Sequence, residues 1–193
     1  HVPPTTTFAT KPQLAAAMIQ RAIAADVPFA WVAGDSIYGV GEFEMMLRRA
    51  GKGYVLGVSA SHHFSSWIGK PDLAGTAKEI ATELDDAAWQ RLSAGAGSKG
   101  ERLYDWAYCE LADLEAAEYD EGRTGVWTRG LLIRRRLTDG ELAFFSTWCP
   151  AGTEIATLVK VEGHRWAIED AFETAKTELG LAHNETRPWH GWH

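Results

Sequence analysis

The sequence predicts an α/β fold, and three observations carry that reading. The first third alternates helix, strand, helix and strand with short connections; the middle is a series of runs with β character; and helix returns near the end. The first helix starts at Thr10, Lys11 and Pro12, with proline in the first turn, and continues through the Ala-rich run LAAAMIQRAIAA. Asp26, Val27 and Pro28 end it, and FAWVAG then reads as a short buried strand stopping at Asp35. Gly39 and Gly41 follow closely. A second helix, Glu42 to Ala50, sets Phe43, Met46 and Leu47 on one face, closes at Gly51 and leads into a second strand, YVLGVS. Such alternation gives a mainly parallel sheet covered by helices, in which functional residues collect beyond the carboxyl ends of the strands. Asp35 stands at such an end.

From Ser61 the pattern changes to Gly-rich and mixed segments, including SAGAGSKG, and then to GVWTRGLLIRRRL and ELAFFSTW. Asp139 and Gly140 lie between these last two runs, and an Asp-Gly pair between strand-like segments signals a hairpin. Helix resumes near Thr153, and a clear one runs from about His164 to Leu179 before Gly180 ends it. Its apolar residues Ile168, Phe172, Ala175 and Leu179 recur at helical spacing and predict one buried stripe.

Composition narrows the function. The chain has 193 residues, 46% of them hydrophobic and 23% charged, which is ordinary for a globular domain with an insertion. Its 2 cysteines, Cys109 and Cys149, lie far apart, so neither a disulfide framework nor a cysteine zinc site is suggested and a reducing cytoplasm fits. No apolar run is long enough to span a bilayer. The extended start HVPPTTTF and the abrupt stop at GWH read as those of an internal fragment. A net charge of −7 argues against nucleic-acid binding by bulk charge. Distribution matters more than the sum: Asp105 to Glu121 holds seven acidic residues and no basic one, whereas Arg123 to Arg136 holds five Arg and no acid. Either run reads equally as solvated surface.

On the last helix, at about 100° per residue, Arg165, Glu169 and Lys176 fall within roughly 40° of one another, so one carboxylate sits between two cations. Spacing alone also fits a solvated face with ordinary ion pairs. Asp35, likewise, has the position of a turn former or cap. The chemical alternative is that Asp35 and Glu169, remote in sequence, converge beyond the sheet, where carboxylate oxygens hold hard divalent cations such as Mg²⁺. Such a site needs a third ligand. His62 with His63, and His190 with His193, have metal-compatible spacing but fit surface or capping roles better, for want of further ligands.

WVAGDSIYG, YVLGVS and the closing stretch GHRWAIEDAFETAKTELGL with RPWHGWH resemble the DDE transposases of bacterial insertion sequences. That resemblance implies a ribonuclease H-like domain, incomplete on its N-terminal side, with a β-rich insertion between the second Asp and the Glu. The corresponding division is 1–60 for the first part of the domain, 61–152 for the insertion and 153–193 for the C-terminal helical part. It makes Asp35 the second catalytic Asp and Glu169 the catalytic Glu, together holding two Mg²⁺ ions (or Mn²⁺) in the intact site. Arg165 and Lys176 match the family's Tyr-Arg-Glu-Lys pattern and would contact DNA phosphates near the scissile bond. Beside the resemblance, Lys99, Arg102, Arg134, Arg135 and Arg136 read equally as the lining of a DNA channel in the insertion or as exposed surface. Most of the 9 Trp read as core or hairpin packing, with Trp148, near the hairpin, the candidate to stack on an unpaired base. The implied partners are transposon ends and target DNA, with a homodimer in the synaptic complex and no membrane. The implied setting is the bacterial cytoplasm, at the nucleoid. Two departures stand out: Glu162 occupies the position of the expected Tyr, and the first catalytic Asp has no candidate, so the chain alone is expected to be inactive. A nuclease of the same fold that does not join ends, and a non-catalytic DNA-binding remnant, are the alternatives.

Overall fold

A computed structural model describes residues 7–67, 69–97 and 100–181. In chain order it contains α1 (Lys11–Ala24), β1 (Trp31–Gly34), α2 (Gly41–Arg49), β2 (Gly53–Val58), β3 (His63–Ser65), β4 (Ala74–Thr76) and α3 (Ala77–Glu83). There follow β5 (Gln90–Gly97), β6 (Gly100–Glu115), β7 (Val126–Arg136), β8 (Leu142–Pro150), α4 (Ile155–His164) and α5 (Trp166–Thr177). The α1 start is a capping box: Thr10 accepts from the Gln13 N–H while the Gln13 side chain accepts from the Thr10 N–H at 2.8 Å. Asp26, at φ 51°, turns the chain out of the helix.

β1 and β2 pair in parallel, Trp31 opposite Gly53 through Gly34 opposite Leu56, as the alternation predicts. The other four pairs of the sheet are antiparallel, however, so the sheet is not mainly parallel. Gly53 is required there, because a Cβ would stand 2.6 Å from the Trp31 ring. β1 is an edge strand and only half-buried, whereas every residue of β2 is buried. The six-stranded sheet has the order β1-β2-β8-β7-β6-β5. Its mixed α/β build fits a ribonuclease H-like fold in general. The β-rich middle continues the first sheet through the antiparallel β2–β8 pair, Tyr54 opposite Trp148 through Val58 opposite Phe144. Asp139 and Gly140 do lie at the β7–β8 turn: the Glu141 N–H donates to the Asp139 carboxylate at 3.1 Å, and Gly140 adopts φ 73°.

Side chains alternate across this sheet. Tyr54 and Leu56 pack with Phe43 and Leu47 of α2, and Val58 packs with Ile80 of α3, on one face. Val55, Trp106, Leu132 and Phe145 meet Leu158 and Val159 of α4 on the other. α4 sits very close, since a Cβ at Gly163 would lie 2.1 Å from the Ala94 carbonyl oxygen of β5.

The last helix corrects one expectation. No residue of α5 is buried, and Ile168, Phe172 and Leu179 are 59%, 56% and 79% exposed. The seat on the sheet is taken by α4 through Leu158 and Val159, and α5 begins after it. Its apolar stripe exists but is uncovered among the described residues.

Candidate active site

Asp35 opens the turn that follows β1. One of its carboxylate oxygens accepts from the Ile37 N–H at 2.9 Å, and its carbonyl accepts from the Tyr38 N–H at 3.1 Å. Two glycines let this turn lie directly on β2. A Cβ at Gly57 would be 2.8 Å from the Ser36 nitrogen, and one at Gly39 would be 2.1 Å from the Gly57 carbonyl oxygen. The turn role weighed against Asp35 is therefore real, and it still leaves the side chain exposed at the carboxyl end of a parallel strand pair.

Asp35 borders an open cleft of about 320 Å³, shared with Arg134 of β7, Phe145 of β8, Glu162 of α4 and Arg165 at the α4–α5 junction. Arg165 extends from this cleft to Glu169, donating through Nη1 to Oε1 at 2.7 Å. Glu169 borders a second cleft of about 400 Å³ with Arg102, Trp166 and Glu173. Asp35 and Glu169 thus line different clefts, and Arg165, which borders the first, is paired with Glu169 of the second. Both are hard oxygen donors of the type Mg²⁺ takes. Among the described residues, however, no three His, Cys, Asp or Glu side chains are grouped to hold a metal ion. The donor chemistry fits; the set is incomplete.

Glu162 was noted in the sequence only as a mismatch, yet it is the buried acid of this region, 2% exposed. Its Oε1 accepts from Arg134 Nη1 at 3.1 Å and lies 4.0 Å from Arg165 Nε, while its Oε2 has no partner among the described residues. Burial pushes its carboxyl pKa above the ordinary carboxylate value, against the opposing pull of Arg134 and Arg165. The available signal was its helical spacing from Leu158 and Val159, which puts an acid in an apolar stripe.

The remaining residues divide sharply. Trp148 is a correction: it is 2% exposed, stacked on Trp127 at 5.6 Å, edge-on to Tyr119 at 5.2 Å and covered by Arg48 at 4.8 Å, so no ring face is open to a base. Its partner across the sheet, Tyr54 on the wholly buried β2, draws it inside. Arg102 donates through Nη2 to the carbonyls of Ala94 at 2.6 Å and Gly163 at 3.0 Å, tying the β5–β6 hairpin to the end of α4. Arg135 pairs with Asp105 at 3.3 Å over the Trp89 ring, and Arg136 pairs with Asp139 at 2.9 Å and with Glu141. With Arg134 on Glu162, all three arginines from 134 to 136 have carboxylate partners within the chain, whereas Arg129 donates to the Ser65 carbonyl. Lys176 is exposed in the last turn of α5. His62 packs its ring on Phe64 at 4.8 Å, and His63 is exposed in β3. Lys99, His190 and His193 lie outside the described residues.

The mixed α/β sheet, with Asp35 exposed beyond a parallel strand pair, fits the ribonuclease H-like fold of nucleases and transposases in general. The profile of the DDE superfamily endonuclease family matches residues 1–101, and the chain belongs to that family. Asp35 falls inside the matched region and Glu169 outside it. A search of curated proteins finds no match. DNA is the substrate that membership implies, and DDE endonucleases generally use divalent metal ions. Among the described residues no helix is long and apolar enough to cross a membrane.

Proposed function

We propose that the chain supplies two carboxylates, Asp35 and Glu169, to the catalytic site of a DDE transposase that cuts and joins DNA at transposon ends. The observation that carries this is the Arg165–Glu169 pair at 2.7 Å, on a helix whose first turn adjoins the cleft holding Asp35. Mg²⁺ or Mn²⁺ would be held by these two groups with a further carboxylate that is not grouped with them among the described residues. When bound, the ions supply an activated water or 3′ hydroxyl and stabilise the leaving oxygen. Arg165 and Lys176 hold DNA phosphates by charge-assisted N–H donation, orienting the scissile bond for in-line attack. The stripe Ile168, Phe172 and Leu179 is uncovered among the described residues, which leaves this face free to meet a partner. The two-carboxylate set favours one qualification: this chain by itself binds DNA without cutting it.

The test is cleavage and strand joining on a labelled transposon-end duplex with Mg²⁺ or Mn²⁺, comparing the chain, the intact protein and Glu169→Gln. Glutamine keeps the shape and removes the charge that holds a cation, so cleavage should disappear with DNA affinity kept. A Gln variant that still cuts removes Glu169 from the mechanism. Cutting without joining assigns the protein to the hydrolytic nucleases of the fold instead.

A further inference from the structure

We propose, resting on the reading above, that Glu162 is a positioning residue for the cleavage site: one buried carboxylate pins Arg134 and Arg165 together and so fixes the guanidinium against which Glu169 is set. The contacts form a continuous path. Arg134 is held among the rings of Tyr104 at 4.7 Å, Phe145 at 5.8 Å and Trp106 at 6.0 Å, so it is anchored on the rigid sheet. Glu162 accepts from Arg134 at 3.1 Å and faces Arg165 Nε at 4.0 Å, and Arg165 Nη1 reaches Glu169 at 2.7 Å. The backbone beside Glu162 cannot drift, since Gly163 is pressed against the Ala94 carbonyl and its own carbonyl accepts from Arg102. Asp35 borders the same cleft as Arg134, Glu162 and Arg165, while its own setting comes from the turn that follows β1.

Stability does not account for a carboxylate here. It occupies a helix position in register with Leu158 and Val159, where an apolar residue would pack, and among the described residues its Oε2 is left without a partner. Burying an ion in this way is frequently no better for stability than a well-packed apolar side chain, and an unsatisfied buried oxygen costs free energy. What the carboxylate adds is direction. Without it Arg165 can swing between solvent and Glu169, and Glu169 is no longer held in one place on an otherwise exposed helix.

In the intact protein, Glu162→Gln keeps an acceptor for Arg134 and removes the charge that both arginines share. Single-turnover cleavage should slow by about tenfold or more, with duplex affinity within about threefold of the parent and a melting temperature changed by only a few degrees. In an Arg165→Ala background the same change should cost less than about twofold, because residues acting through one another are not additive. Glu162→Asp, which keeps the charge but shortens its reach, should also cut slowly, and serves if the Gln variant does not fold. Parent-like cleavage by Glu162→Gln or Glu162→Asp overturns the proposal. So does a loss that multiplies in full onto Arg165→Ala, or one that only follows a fall in melting temperature and affinity. Glu169→Gln is run alongside: if it still cuts, the assignment of the site fails, whereas a dead Glu169→Gln with an unaffected Glu162→Gln defeats the positioning role alone.

Discussion

Trp148→Ala tests the packing role that the structure gives that tryptophan, and the burial sets the size of the effect. The side chain is 2% exposed and lies between Trp127, Tyr119 and the guanidinium of Arg48. Truncating a buried aromatic to alanine costs about 3 to 5 kcal/mol, from lost transfer and the cavity left behind. The upper half of that range is expected, because Arg48 would also lose the nearest of its three aromatic neighbours, Tyr119 and Tyr54 lying 5.7 Å and 5.8 Å away. For a chain of this size, each kcal/mol lowers the melting temperature by about 2 to 4 °C, so a fall of roughly 8 to 20 °C is predicted. A base-stacking residue behaves otherwise: its loss weakens single-strand binding by about 1 to 3 kcal/mol per base while leaving stability nearly unchanged. Thermal unfolding by circular dichroism, with single-strand affinity by fluorescence anisotropy, reads both quantities. A melting temperature within about 2 °C of the parent, with clearly weakened single-strand binding, would refute the packing argument.

Gly39→Ala should unseat the Asp35 turn, since its Cβ would meet the Gly57 carbonyl oxygen at 2.1 Å, whereas Gly41→Ala has open space and is the matched control. A destabilisation of about 1 to 3 kcal/mol in the first variant only, together with lost cleavage in the intact protein, is the expected outcome, checked by chemical denaturation and the duplex assay. Asp113 should make folding acid-sensitive. Hydrogen bonds from Lys70 at 2.8 Å and Thr128 at 2.7 Å hold its carboxyl pKa below the ordinary 3.8. A depressed folded pKa contributes stability above the unfolded value and loses it as pH falls through the folded one. Asp113→Asn should therefore flatten the decline in melting temperature below about pH 4 while lowering it at pH 7, and an unchanged acid limb would dismiss the contribution.

Local signals in the sequence were legible wherever the cause is local. The α1 start follows from Thr10 and Gln13, the parallel β1–β2 pair from the alternation of elements, and the β7–β8 turn from Asp139 and Gly140. Non-local facts were not. Periodicity identified the apolar stripe of α5 but carries no information on whether another element covers it, and Ile168 and Phe172 stand exposed. An aromatic count likewise cannot tell a stacking platform from a core, and Trp148 is core because it faces Tyr54 across two strands remote in sequence.

The charge pattern illustrates the same limit and changes the view of DNA binding. The acidic run beginning at Asp105 and the arginine run ending at Arg136 look segregated along the chain, as if one face repelled DNA and another attracted it. They are neighbouring strands: β6 and β7 run antiparallel with Asp105 opposite Arg135 and Asp113 opposite Thr128, so segregation in sequence becomes pairing across the ladder. Asp105 is held below its ordinary pKa first by Arg91 and then by Arg135, as expected of a carboxylate already in ionic partnership. An arginine so engaged must leave a carboxylate before it neutralises a phosphate, and the exchange returns little of the electrostatic gain that a free cation would give. Affinity for DNA in this part of the protein is therefore not to be read from the arginine run. On a chain of net charge −7, the electrostatic pull must come from fewer, better-placed cations. Arg165 is itself already paired with Glu169 at 2.7 Å, and so is subject to the same exchange.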